Sequence, residues 1–423
     1  IVPNTDGDRI TPSIVFVDPD EDARVDVGEE ARKQMVIYPE RVIVEVKQKM
    51  GKGDEVIKVG SRIFTPTQIS SLILKKLIQD AEKIKGKIDE VVVTVPAHFV
   101  ETGRRATKDA GEMAGVGKVT LVDEPVAAAL LYATTRSVDG HVLIFDLGGG
   151  TFDVTIAKIE GTDVEVVEKS GDPHLGGKDF DRALAALVND QYKALSGQAL
   201  YDDKPDYSLM YQAEEIKKTL SRREKYKGVF MGPAGPQNLE ITREQFEKSI
   251  SEYIGKIELL IDLALSEAGM AEKDLDHILL VGGSTRIPCI KALLKKRFGS
   301  DPEECVNVDE AVALGAAIYA GLQVGSSRLN PVQLKAMESV NISNTAPANY
   351  GTIAISDSGD EFNSIIIRRH EKIPCSKTKN YFTVAYGQVA VDASVTQCPY
   401  EDELEFVPRL AEGKTIDSSR SRS

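Results

Sequence analysis

The sequence predicts an α/β unit followed by a small antiparallel β domain. Three observations carry this. Over roughly the first 300 residues, short apolar runs alternate with stretches of helical period. Glycine clusters sit where apolar runs end and helices or return strands begin. Beyond about residue 325 the helical period disappears and short β-type runs remain. A chain of 423 residues also exceeds what one core usually fills, about 250–300 residues, so at least two domains are expected.

In chain order, the first clearly written helix opens at Thr65–Pro66–Thr67–Gln68, a capping box with proline at the first helical position. Behind it Ile69, Leu72, Ile73, Leu77 and Ile84 recur at helical spacing and are expected in the core, with Gly86 as the stop. VVVTVP (Val91–Pro96) reads as a buried strand. A helix over ETGRRATKDAGEMAG, a strand around VTLVD and the helix PVAAALLYA come next. HVLIFDLGGGTFDVTIAKI reads as two strands about a glycine turn. Thr242–Gln245 repeats the T-x-x-Q signal before a long helix through Phe246, Ile250, Ile254, Ile257 and Ile261. SSRLNPVQLK is polar with one proline and reads as a linker. VNISN, YGTIAIS, NSIIIRRH, YFTVAYG, QVAVDASV and ELEFVP then read as strands, and GKTIDSSRSRS as a disordered polar tail. The chain thus divides into residues 1–325, a linker 326–336, a β domain 337–408 and a tail 409–423.

Charge and cysteine content narrow the function. A net charge of −14 with no basic stripe argues against nucleic acid as a partner. An anionic ligand must then be held by local lysines, backbone amides and a metal ion. No run of about 18 apolar residues predicts a membrane span. Cys289, Cys305, Cys375 and Cys398 include no C-x-x-C pair, so zinc is not expected, and such sparse cysteine fits a reducing cytoplasm.

The chemistry concentrates in IFDLGGGTFDVTI. Gly148, Gly149 and Gly150 let backbone N–H groups approach an anion, because no Cβ intervenes. Asp146 and Asp153 bracket this turn, and Thr151 adds a hydroxyl. Carboxylates beside a phosphate cradle are useful when a cation such as Mg²⁺ lies between them. No G-K-[ST] comes after the glycines and the continuation is β, which excludes a P-loop and a dinucleotide fingerprint. Two further glycine pairs precede helices: Gly282–Gly283 in VGGSTRIP, and Gly176–Gly177 in HLGGKDFD.

DLGGGTFD, D-x-HLGGxDFD, VGGSTRIP and DEAVALGAA occur in the order and rough spacing of the DnaK-type seventy-kilodalton heat-shock chaperones, which residues 1–325 resemble throughout. VTVPAHFVETGRRATKDAGEMAG and DEPVAAALLYA are similar to two further signatures of that family. The resemblance implies an actin-like two-lobed ATPase domain with ribonuclease-H-like subdomains, ahead of part of a β-sandwich that clasps extended peptides. It implies that Asp146 and Asp153 hold the water shell of Mg²⁺, that Gly148–Gly150 cradle phosphates of ATP or ADP, and that Thr151 lies near the γ-phosphate. Lys47, which by itself reads as a solvated strand lysine, matches the family's essential lysine. Glu124, by itself a helix-start carboxylate favoured by the dipole, matches its water-orienting carboxylate. Glu214, Lys217, Lys218 and Ser221 share one face of the helix that would grip adenosine. Arg286 and Ile287 would flank the base, and Gly282, Gly283 and Ser284 would face the ribose and α-phosphate. Asp309 matches a nucleotide-site aspartate and equally fits an N-cap.

The sequence also departs from that pattern. No segment resembles the family's first phosphate loop of the D-L-G-T-T type, and IVPNTDGDRITPSIVFV resembles the segment just after that loop; weak hydrolysis is the expectation. Lys218 stands where arginine is usual, which weakens stacking on adenine. Pro173 and Lys178 replace a threonine and an acidic residue. SRLNPVQLKAMES replaces a leucine-rich acidic linker, and no helical lid comes after the β domain. The implied function is an ATP-driven chaperone with unfolded polypeptides, a J-domain co-chaperone and a nucleotide-exchange factor as partners. The alternative is a nucleotide-holding adaptor with little or no turnover.

Overall fold

The structure is a computed structural model that describes residues 1–19, 24–53, 55–136, 139–161, 163–203, 205–304, 307–324, 342–346, 348–356, 358–359, 361–383 and 395–398. The linker at 326–336 and the tail at 409–423 lie outside the described residues.

The N-terminal part builds a small sheet from β1 (Val15–Val17), β2 (Val25–Val27) and β3 (Val42–Ile43), in the order β2-β1-β3, with α1 (Glu29–Gln34) packed on it. A 3₁₀ turn, Val46–Lys49, comes next. The hairpin β4 (Ile57–Val59) and β5 (Arg62–Phe64) leads into α2 (Pro66–Lys85). The expected capping box is present: the Thr65 hydroxyl accepts from Gln68 N, and Gln68 Oε1 accepts from Thr65 N. Gly86 closes the helix at φ 79°. Ile69 and Ile73 are buried and Leu72 packs against their cluster, but Leu77 and Ile84 are exposed.

Two parallel strands, β6 (Glu90–Val95) and β7 (Lys118–Asp123), are joined by α3 (Glu101–Met113). α4 (Glu124–Thr135) starts directly after β7 and is apolar on nearly every side, as suits a helix with no wet face. β8 (Gly140–Leu147), β9 (Phe152–Glu160) and β10 (Asp163–Asp172) form an antiparallel meander. α5 (Gly177–Ser196), α6 (Tyr207–Leu220), the hairpin β11 (Lys225–Gly232) and β12 (Gly235–Thr242), and α7 (Arg243–Ser249) come next. α8 (Ser251–Glu267) is separate from α7. The long helix expected after Thr242 is therefore two helices: Ile250, at φ −101° and ψ 5°, ends one and starts the other, while its side chain stays buried. Apolar spacing runs through such a joint unbroken, which hides it from periodicity.

β13 (His277–Val281), α9 (Pro288–Phe298), β14 (Glu303–Glu304) and α10 (Ala311–Gln323) complete the α/β part. The remaining strands are β15 (Ile342–Thr345), β16 (Asn349–Ile355), β17 (Glu361–Ile367), β18 (Lys372–Ile373) and β19 (Thr396–Cys398). The central sheet has the order β14-β13-β8-β9-β10-β15-β18. In it β13 runs parallel to β8, and β15 runs parallel to β10 through Val164↔Ile342 and Glu165↔Ser343. One face carries a core around Phe145, Phe152, Phe180 and Ile257, and the other packs α4 and α10. β16, β17 and β19 form a separate antiparallel sheet in the order β17-β16-β19. Of the β runs expected beyond the linker, Tyr381–Thr383 carry no strand; 384–394, with most of QVAVDASV, and 399–408, with ELEFVP, lie outside the described residues.

Candidate functional site

The glycine turn sits where the 3₁₀ turn, the start of α4, the β8–β9 hairpin and the entry to α5 meet. β8 and β9 stay in register to the turn, with Leu147 opposite Phe152 and Asp146 directly opposite Asp153. Like charges facing each other across a ladder are destabilising unless a cation intervenes. Glu124, the first residue of α4, adds a third carboxylate. Burial first, then the charges of Glu124 and Asp153, push the Asp146 carboxyl well above the usual carboxylate range, with Lys47 opposing. Lys47 Nζ lies 2.8 Å from Glu124 Oε1. Burial works against the Lys47 charge, but Glu124 and then Asp146 and Asp153 outweigh it and hold the ammonium above its ordinary pKa. One lysine among three carboxylates leaves negative charge to balance, and oxygen donors of this kind fit Mg²⁺ with part of its water shell.

The second and third glycine pairs are built onto the first. Gly177 N donates to Gly148 O (3.0 Å) and Lys178 N to Gly149 O (2.8 Å). A Cβ on Gly176 would fall 2.5 Å from Gly150 N, so the two loops touch through bare backbone. Ser284 Oγ donates to Gly148 O at 2.9 Å. Gly282, at φ +85°, sits where a Cβ would be 2.4 Å from Leu147 O, a position only glycine fills without strain. Such converging amides and glycines can receive an anion of several phosphates.

The other anticipated residues divide. Lys217 is largely buried and donates to Gly177 O at 2.8 Å while pairing with Asp181 Oδ1 at 2.8 Å, so it fixes the loop. Lys218 is half-exposed and pairs with Glu214 (2.9 Å) and Glu215 (2.8 Å). Ser221 Oγ donates to Lys217 O in its own helix. Arg286 binds Asp309 Oδ2 and Asn307 Oδ1. α10 begins after Glu310, so Asp309 is not its N-cap, and its carboxylate is held by Arg286. Ile287 is 2% exposed and packs in the core with Ile290 and Leu294. Thr151 accepts from Gly148 N through its backbone oxygen at 3.1 Å, which closes the turn.

Several site residues were not singled out within the motifs that hold or adjoin them. His98 Nδ1 lies 3.1 Å from Asp153 Oδ1. Its position just beyond the C-terminal end of β6, where α/β sites gather, was the available signal. Gln48 donates to Gly150 O at 2.8 Å, tying the 3₁₀ turn to the glycine turn. Glu45 bridges to Lys178 (2.9 Å) and Arg182 (3.6 Å). Asp123, next to Glu124, is buried against Lys169 (2.8 Å) and Arg104 (2.5 Å) and accepts from Asn344 of β15 at 2.9 Å. Burial opposes its charge, but Lys169 and Arg104 outweigh that and hold its carboxyl below the usual range. Among the described residues, no helix is long and apolar enough to cross a membrane.

Three glycine turns over a carboxylate pair define an α/β site suited to an anionic ligand, and similarity to known proteins shows the family. The chain belongs to the Hsp70 protein family, which matches residues 1–62 and 52–406, and with that family comes the actin-like ATPase fold. It is 38% identical over 407 residues to the "Chaperone protein DnaK" of Thermotoga neapolitana, and equally to that of Thermotoga petrophila, across 94% of its own length. The chain spans 66% of the length of these relatives.

Proposed function

We propose that the protein is an ATP-dependent chaperone that binds and hydrolyses Mg·ATP to control its hold on unfolded hydrophobic peptide segments. The observation that carries this is the cross-strand pair Asp146–Asp153 beneath the glycine turn, with Lys47 on Glu124 beside it. Mg²⁺, when bound, would offset negative charge on the phosphates. Asp146 and Asp153 would hold it through water, and Gly148, Gly149 and Gly150 would offer backbone to the phosphate oxygens. Lys47 would steady the charge of the transferring phosphoryl group, and Glu124 would keep Lys47 aimed and orient the attacking water. Glu214, Lys218 and Arg286 would border the nucleoside.

The sheet β16, β17 and β19 would belong to a β-sandwich peptide-binding domain, adding backbone bonds to an extended segment. Asn344 on Asp123 supports a route between this domain and the nucleotide, because Asp123 adjoins Glu124. A J-domain co-chaperone and a nucleotide-exchange factor would be the partners, in a cytoplasmic setting. Single-turnover hydrolysis of Mg·ATP by the chain, beside Lys47→Ala, tests the reading. Phosphate release by the parent alone supports it. No release by either, with nucleotide still bound, leaves the nucleotide-holding adaptor as the better account.

A further inference from the structure

On the opposite side of the central sheet from the α4–α10 packing, at the end of α8, three side chains from distant parts of the chain converge. Glu168 lies on β10 just past a bulge at Val167, which turns it to the face opposite Val164 and Val166; it stands across from Ile156, so a carboxylate occupies a core position at 2% exposure. Glu267 is the last residue of α8, which packs on β10. His370 lies in the turn after β17. Its backbone is pinned by His370 N to Ala346 O (2.9 Å) and Ala346 N to Glu371 O (2.8 Å). His370 Nδ1 is 2.8 Å from Glu168 Oε2, and one donor atom from each of the three residues lies within 4.8 Å of the others.

We propose that Glu168, Glu267 and His370 form a binding site for a divalent transition ion, best matched by Zn²⁺, that fastens the C-terminal β segment to the central sheet. The charge argues for a dication. Two carboxylates approach in a place mostly shielded from water, where anions are costly unless balanced. Glu168 Oε1 accepts from Lys169 N at 2.7 Å, and its Oε2 faces His370. The donor set argues for the type of ion. Imidazole nitrogen with carboxylate oxygens suits Zn²⁺, whereas Mg²⁺ and Ca²⁺ select oxygen alone. Spacing argues that the backbone need not move. Ligands about 2.0–2.1 Å from a tetrahedral zinc stand roughly 3.3 Å apart, so side-chain rotation of about an ångström closes the set. Three protein ligands leave the fourth position to water.

His370 holds φ at +66°, a region where histidine is more tolerant than most residues, and this aims its ring at Glu168. No cysteine takes part, so the cysteine count that argued against zinc does not address this site. The inference rests on these three residues and not on the nucleotide reading.

The test is calorimetric titration of the full chain with ZnCl₂ in saturating Mg²⁺ and ADP, which keep the glycine-turn carboxylates occupied. It is paired with Co²⁺ substitution read by visible absorption. The variants are His370→Asn, which tolerates the same backbone, and Glu267→Gln; both are first shown to melt like the parent in EDTA. One equivalent of Zn²⁺ bound at micromolar concentration or tighter is expected. Each variant should weaken it at least about tenfold and alter the cobalt bands, and Zn²⁺ should raise the melting temperature of the parent alone. Absence of binding, or binding and spectra unchanged in His370→Asn, overturns the proposal.

Discussion

Replacing Gly176 by alanine should separate the two glycine loops, and the cost can be worked from the geometry. The new Cβ would lie 2.5 Å from Gly150 N and 2.7 Å from Gly149 C and Gly150 Cα. These are backbone atoms of a closed turn and cannot rotate away. Overpacking of this kind costs about 1–3 kcal/mol. If the loops part, the bonds from Gly177 N and Lys178 N are lost too, at about 0.5–1.5 kcal/mol each. The sum is about 2–6 kcal/mol, or, for a unit of this size, a fall in melting temperature on the order of 3–9 °C. Gly149→Ala is the matched control. Its Cβ would meet nothing within 4 Å, so stability should hold within about 0.5 kcal/mol. If phosphate seats on this turn, that same Cβ intrudes on it and nucleotide affinity falls. Thermal melts and titration with a fluorescent ADP analogue read both quantities. Equal melting of the two variants would refute the packing argument, and unchanged ADP affinity in Gly149→Ala would refute the phosphate seat.

Lys178→Glu places a carboxylate beside Glu45 in place of a 2.9 Å ion pair. The two elements should separate, and ADP should dissociate several-fold faster in stopped-flow release. Asn344→Leu removes the donor to Asp123 and should loosen β15, seen as faster amide exchange in β15 and β10 with little change in the α5–α9 core. Burial raises Asp181 to about 6 despite Lys217, so its carboxyl is protonated in the folded protein at pH 5. Its contribution is then fully present below the unfolded value of about 3.9 and is lost as pH rises to about 6, at about 2–3 kcal/mol. Denaturant melts between pH 4 and pH 7 should show this loss in the parent and not in Asp181→Asn.

What the sequence disclosed was local. The capping boxes at Thr65 and Thr242, the stop at Gly86 and the β8–β9 hairpin each depend on residues a few positions apart, and all four are present. The opposed pair Asp146 and Asp153 was legible because a short turn fixes which residues face each other. The features that stayed hidden depend on distant chain. Leu77 and Ile84 keep helical spacing, yet both stand exposed. The break at Ile250 keeps its apolar side chain inward. The partnership of Arg286 with Asp309, and of Asp123 with Asn344, joins residues whose separation in sequence gives no clue to contact. Ile287 sits inside a glycine-loop motif, and only the packed core shows how fully its side chain is buried.

The parallel addition of β15 to β10 has a bearing on how the protein can be divided. β10 runs ten residues, and β15 covers part of its outer edge. A chain ended after α10 would leave that edge bare, with unpaired amides and carbonyls beside Val164 and Val166, and such an edge recruits strands from other molecules. The natural cut for a self-sufficient piece therefore lies after β15, because the last protection of the sheet comes from beyond the linker.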